Sequence, residues 1–99
     1  MNNIQIKDIS KYLGQEVSIM CWVYNKRGSG KLNFLEIRDG SGFTQVVAEK
    51  DSLTADDWDL TDKIGLESSA KVNGVVKKHP AKEVYEIGLK SIELLGGSH

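Results

Sequence analysis

The 99-residue sequence predicts one small all-β domain with a single helix set between its third and fourth strands. Three observations carry that expectation. Five segments rich in β-branched residues alternate apolar and polar side chains, as half-buried strands do. Glycine-containing connections, RGSGK and DGSG, separate the first three of them. One stretch, residues 53–65, instead has the capping residues and stop signal of a helix.

Taken in order, IKDISKYLGQEV opens with Asp8 placed as an N-cap, a short helical turn through Tyr12, and Gly14 as its stop. VSIMCWVYNKR, residues 17–27, is the first strand, and RGSGK leads tightly into the second, residues 31–38. DGSG, residues 39–42, is a strong hairpin signal before FTQVVAE, residues 43–49. Thr54 with Asp57 resembles a capping box, and Leu53 with Trp58 occupies the staple positions, so a helix runs from about Ala55 to Ile64 and closes at Gly65. AKVNGVVKK, residues 70–78, is the fourth strand, with Gly74 marking a bend or bulge. KHPAKE then turns the chain into VYEIGLKSIELL, residues 84–95, the fifth strand. A three-strand meander, a helix and two further strands is the plan of the OB-fold, a five-stranded Greek-key barrel. Closure of such a barrel leaves little exposed edge. The domain is expected to span residues 1–95, with GGSH, residues 96–99, read as a linker and the beginning of a tag.

Composition narrows the classes of function. A hydrophobic content of 39% and a charged content of 27% are ordinary for a soluble globular domain. No run approaches the ~20 apolar residues that span a bilayer, and no secretory signal opens the chain, so a cytoplasmic protein away from membranes is expected. The lone Cys21, in the apolar run VSIMCWV, suits a reducing compartment and a buried role. His79 has no spaced His, Cys or carboxylate partner for a metal, and no cofactor is expected. Trp58 reads as a core plug, and Trp22 as packed against the surroundings of its strand. The charges are segregated. Seven acids against Lys50 and Lys63 give residues 49–67 a net −5, whereas four lysines and no acid give residues 71–82 a net +4. Residues 24–38 carry a net +3, so part of the surface attracts anions while another part repels them.

The second strand holds the residue that points to function. Leu35 and Ile37 share the apolar face, which leaves Phe34 on the outer face with Glu36 and Arg38. By the same parity Gln45 and Glu86 face outward on the neighbouring strands. OB-folds bind ligands over the second and third strands and the adjoining loops. With single-stranded nucleic acid, Phe34 offers a ring for an unstacked base and Gln45 a mixed donor–acceptor edge. Glu86 accepts an N–H, and Lys26, Arg27, Lys77 and Lys78 neutralise phosphates.

The ordered elements CWVYNKR, KLNFLEIRDGSGFTQVV and YEIGLKSIELL resemble the N-terminal anticodon-binding domain of class IIb aminoacyl-tRNA synthetases. These are the aspartyl, asparaginyl and lysyl enzymes, and the likeness is nearest to the asparaginyl one, over about residues 4–95. The resemblance implies that Arg27, Phe34 and Gln45 hold the central uridine of the anticodon, that Glu86 helps read it, and that the partner is asparagine tRNA. It also implies that the chain is not itself an enzyme, because the ATP-binding catalytic domain of that family does not follow the fifth strand. A monomer is expected. Cys21 stands where the family commonly has glycine, so the bend of the first strand is expected to pack differently.

Two other classes remain. An OB-fold module or an engineered scaffold using the same face for a protein or an oligosaccharide would also expose an apolar cluster there. A nuclease needs clustered carboxylates with a cation, and the only nearby pair is Glu36 with Asp39, which the DGSG turn already explains.

Overall fold

The computed structural model describes residues 2–96. Its elements are β1 (Asn2–Asn3), a 3₁₀ helix (Ile6–Tyr12), β2 (Glu16–Ser29), β3 (Leu32–Arg38), β4 (Phe43–Glu49), a 3₁₀ turn (Lys50–Ser52), α1 (Ala55–Lys63), β5 (Ser68–Lys78) and β6 (Tyr85–Gly96). The five expected strands and the helix are all present, with the two-residue β1 added in parallel beside β2. β2, β3 and β4 form the antiparallel meander. β4 then pairs in parallel with β6, β6 pairs antiparallel with β5, and β5 returns to pair antiparallel with β2. Strand pairing therefore runs in a circuit, with the long β4–α1–β5 connection making the Greek-key crossover.

β2 is long because it serves two neighbours. Glu16 to Val23 pair with β5, while Trp22 to Ser29 pair with β3. Within it lies a bulge: Val23 opposes Ile37 and Asn25 opposes Glu36, so Tyr24 has no opposite residue. Before the bulge Val17, Ile19, Cys21 and Val23 point into the core. After it the parity changes, and Asn25 and Arg27 lie outside opposite Glu36 and Phe34. Strict alternation through WVYNKR would have sent both inward.

Leu35, Ile37, Val46, Ala48, Ala70, Val72, Val76, Ile87 and Leu89 complete the interior, each at most 4% exposed. α1 covers one end. The Thr54 hydroxyl accepts from the Asp57 N–H as its N-cap, Leu53 and Trp58 pack against the core, and Ile64 ends the helix as a buried plug. The 3₁₀ helix adds Ile6 and Ile9 elsewhere in the same cluster. Its cap is not Asp8, which lies inside the first turn. The Asp39 carboxylate of the DGSG turn accepts from the Ile6 N–H at 2.8 Å, and the Ser41 hydroxyl accepts from the Lys7 N–H at 3.1 Å. A side chain 33 residues away performs the capping that a local residue was expected to supply. Burial works against the charge on Asp39. Hydrogen bonds from the Ser41 hydroxyl and from the backbone of Ile6, Ser41 and Gly42 outweigh it and hold the carboxyl below its ordinary value.

Gly74 sits at a register shift between β5 and β6, as its place in the strand implied, and a methyl group there would run into the Gly88 carbonyl oxygen. Cys21 is core, with its Sγ 3.6 Å from the Ala70 carbonyl oxygen; burial, with a smaller push from Asp39, raises its thiol pKa to about 12. Trp22 corrects the expectation of a packed ring, since its even parity before the bulge leaves it 45% exposed beside Met20 at 66%. Gly96 belongs to β6, opposite Ser69, rather than to a linker, while residues 97–99 lie outside the described residues. Among the described residues, no helix is long and apolar enough to cross a membrane.

Candidate nucleic-acid interface

The outer face of β2, β3, β4 and β6 brings four of the expected residues together. Arg27 and Phe34 are opposite one another, and the Arg27 guanidinium carbon lies 4.3 Å from the centre of the Phe34 ring. Arg27 also donates from Nη2 to Gln45 Oε1 at 3.4 Å. On its other side Gln45, which is in register with Glu86, donates from Nε2 to Glu86 Oε2 at 3.2 Å. The amide is thereby oriented, with its oxygen toward the cation and its nitrogen toward the carboxylate. Beside it Glu36, opposite Gln45, accepts from the Asn25 amide at 3.3 Å.

Phe34 is outward, as parity required, but it is half-buried rather than open. Arg27 covers part of it. A cation over an aromatic face contributes about 0.5–1 kcal/mol at an exposed site, enough to park the guanidinium there and little enough to be displaced.

The lysines divide. Lys77 is opposite Glu86, its stem lies across Gly88, and among the described residues it pairs with no acid. It therefore joins the site face. Lys78 is bound to Glu83 at 2.9 Å. Lys26 points the other way because of the Tyr24 bulge, and its ammonium donates to the Asp62 carbonyl at 2.8 Å, at the C-terminal end of α1. There it completes an orphan helix carbonyl and offsets the helix dipole.

Sequence reasoning passed over Tyr24 and Phe43. Their ring centroids are 6.4 Å apart with planes at 76°, and the Arg38 guanidinium lies 5.7 Å from the centre of the Tyr24 ring. Burial, then Glu36, raises the Tyr24 hydroxyl pKa, partly offset by Arg38. The overlooked signal was Asn25. A polar residue at an apparently inward position marks a break in alternation, and that break makes Tyr24 the bulge residue, without an opposite neighbour on β3.

A sheet circuit of this order, with a crossover helix and an aromatic–amide–carboxylate face over its meander, defines an OB-fold binding domain. The chain belongs to the tRNA anticodon family of OB-fold nucleic acid binding domains, whose pattern it matches over residues 17–95. It is 42% identical over 96 residues to an asparagine–tRNA ligase from Pelotomaculum thermopropionicum and 43% identical over 94 residues to one from Sorangium cellulosum. These alignments take in 96% and 94% of this chain but only 22% and 21% of those proteins, so it spans about a fifth of their length. In structure it is similar to asparaginyl-tRNA synthetase from Pyrococcus horikoshii complexed with asparaginyl-adenylate, with a TM-score of 0.87 at 28% identity over 99% of this chain and 23% of that one. An OBody bound to hen egg-white lysozyme, at 17% identity and a TM-score of 0.84 over 99% of this chain and 98% of that one, shares the fold.

Proposed function

We propose that the chain is a tRNA anticodon-recognition module of the asparaginyl type, which takes up unpaired anticodon bases on the Phe34 face and performs no chemistry of its own. The observation that carries this is the Arg27–Gln45–Glu86 chain, drawn from separate strands, with its Arg27 guanidinium over the Phe34 ring. A base stacks on Phe34 in place of the Arg27 guanidinium. Stacking is worth ~1–3 kcal/mol per base, which exceeds the cation–π contact of about 0.5–1 kcal/mol that it displaces. The released guanidinium turns to a phosphate, and Lys77 supplies a second positive charge. Gln45, held by its two partners, presents its remaining N–H and lone pair to the base edge, and Glu86 accepts from a base N–H. Activation of the amino acid belongs to the remaining four-fifths of the length seen in the relatives.

The test is a titration of anticodon stem-loops against the domain and two variants. Phe34→Ala should weaken binding by ~1–3 kcal/mol, with stability falling by about 0.5–1 kcal/mol from the lost cation contact. Leu35→Ala, fully buried, should instead cost ~2–5 kcal/mol of stability. Each phosphate contact adds ~0.7 to the log–log salt slope for a single strand. A salt-independent affinity, or one indifferent to Phe34, would leave this face to another ligand.

A further inference from the structure

An aromatic pair on the same face takes no part in the contacts proposed for Phe34, Gln45 and Glu86. Phe43 is 75% exposed at the start of β4, and the half-buried Tyr24 ring stands at 76° to it. One exposed phenylalanine at a strand end is unremarkable surface. This one is different in two respects. Its partner Tyr24 is the bulge residue of β2, the same irregularity that aims Arg27 at Phe34. The pair also walls a groove of about 500 Å³ whose lining includes Glu36, Gln45 and Tyr85, so it is continuous with the Phe34 site through Gln45. Arg38, tied to Glu67, braces the Tyr24 ring.

We propose that the Tyr24–Phe43 corner is a second stacking platform, which takes a base neighbouring the one on Phe34 in the same RNA strand. The base lies against Phe43 with the Tyr24 ring bounding it at nearly a right angle. Phe43 is opposite Arg38, four residues along β3 from Phe34, or roughly 13 Å at ~3.3 Å per residue. Stacked neighbouring bases are only ~3.4 Å apart, so the strand is splayed across the face with its bases held separately. The polar row of Glu36, Gln45 and Glu86 lies between the two platforms. This inference rests on single-stranded RNA occupying the Phe34 face.

The experiment titrates stem-loops carrying one abasic nucleotide at each anticodon-loop position in turn. The proteins are the wild-type domain, Phe34→Ala, Phe43→Ala and Phe43→Leu, the last keeping apolar area without a ring. Both Phe43 variants should fold, since little of the side chain is buried, and circular dichroism melts check this. Each should weaken binding about tenfold. The abasic penalty at one loop position should vanish in both Phe43 variants, and that at a different position in Phe34→Ala. Unchanged penalties in the Phe43 variants overturn the second platform while leaving the first intact. Loss of the same position's penalty in Phe34→Ala and Phe43→Ala also overturns it, because the two rings would then share one base. Should Phe34→Ala leave every penalty unchanged, the RNA reading of the face has failed, and this inference with it.

Discussion

The outward side of β2 has two halves. Before Tyr24 it presents Met20 and Trp22, 66% and 45% exposed. After Tyr24 it presents Asn25 and Arg27, each of which reaches a neighbouring strand: Asn25 holds Glu36, and Arg27 holds both Phe34 and Gln45. The more apolar half is the more conspicuous by exposure alone. The other half carries the recognition chemistry, because its side chains fix one another's orientation and so present a defined set of donors and acceptors. Exposure marks where a partner has room, whereas cross-strand polar contacts mark where a partner can be distinguished.

Removing the boundary is the strongest way to break this contrast. Deleting Tyr24 and Asn25 together removes the bulge and shifts the parity by one residue, which drives Arg27 inward and Lys26 outward. Placing an uncompensated charge in the interior should cost roughly 3–5 kcal/mol in a denaturant melt. Deleting Tyr24 alone removes only the residue without a partner and keeps Arg27 opposite Phe34, so it should fold with far less loss; equal destabilisation by both changes would mean that the bulge does not set the parity. Next, Arg27→Ala should remove about 1.5–3 kcal/mol of stem-loop affinity, as expected for losing a charged hydrogen bond, and should lower the salt slope. An unchanged slope would remove Arg27 from phosphate binding.

A smaller effect lies at the Met20 end, where Asp39 anchors the 3₁₀ helix. Asp39→Ala should cost ~0.5–2 kcal/mol, the usual range for a lost helix cap. Because the Asp39 carboxyl titrates below its ordinary 3.8 in the folded protein, its contribution is present above that value and fades as pH falls through the lower folded one. The variant should therefore lose less stability on acidification than the wild type, which melts across that pH range can measure. The smallest change is Met20→Ala, with stability within about 0.5 kcal/mol and no effect on RNA affinity. An affinity loss there would join the two halves into one surface.

The elements with periodic signals were legible in the sequence. Leu35 and Ile37 set the register of β3, and thereby placed Phe34, Gln45 and Glu86 on one face before any contact was visible. Thr54 and Asp57 marked the start of α1 because that cap is local. What escaped was non-local or aperiodic. Capping of the 3₁₀ helix by Asp39 spans 33 residues, so the nearby Asp8 was the natural but mistaken choice. Charge alone could not divide the lysines. Lys26 and Arg27 are adjacent in sequence, yet the bulge sends one to the Asp62 carbonyl and the other to Phe34. Trp22 looked like core from its apolar neighbours, although its parity with Met20 places it outside.

The split allegiance of β2 also has a consequence for the order of folding. Its second half meets β3 through the tight Gly30–Lys31 turn, a hairpin contact that forms in ~1–10 μs. Its first half waits for β5, with Glu16 opposite Val75. Pairings that distant in sequence are slow, placing such domains in the millisecond-to-second range. The strand is thus half assembled while Glu16 to Cys21 remain an open edge, and φ-values should be higher for the β2–β3 pairs than for the β2–β5 pairs. During that interval Met20 and Trp22 flank unpaired backbone, which makes this half of the strand the place where self-association would begin if β5 were delayed.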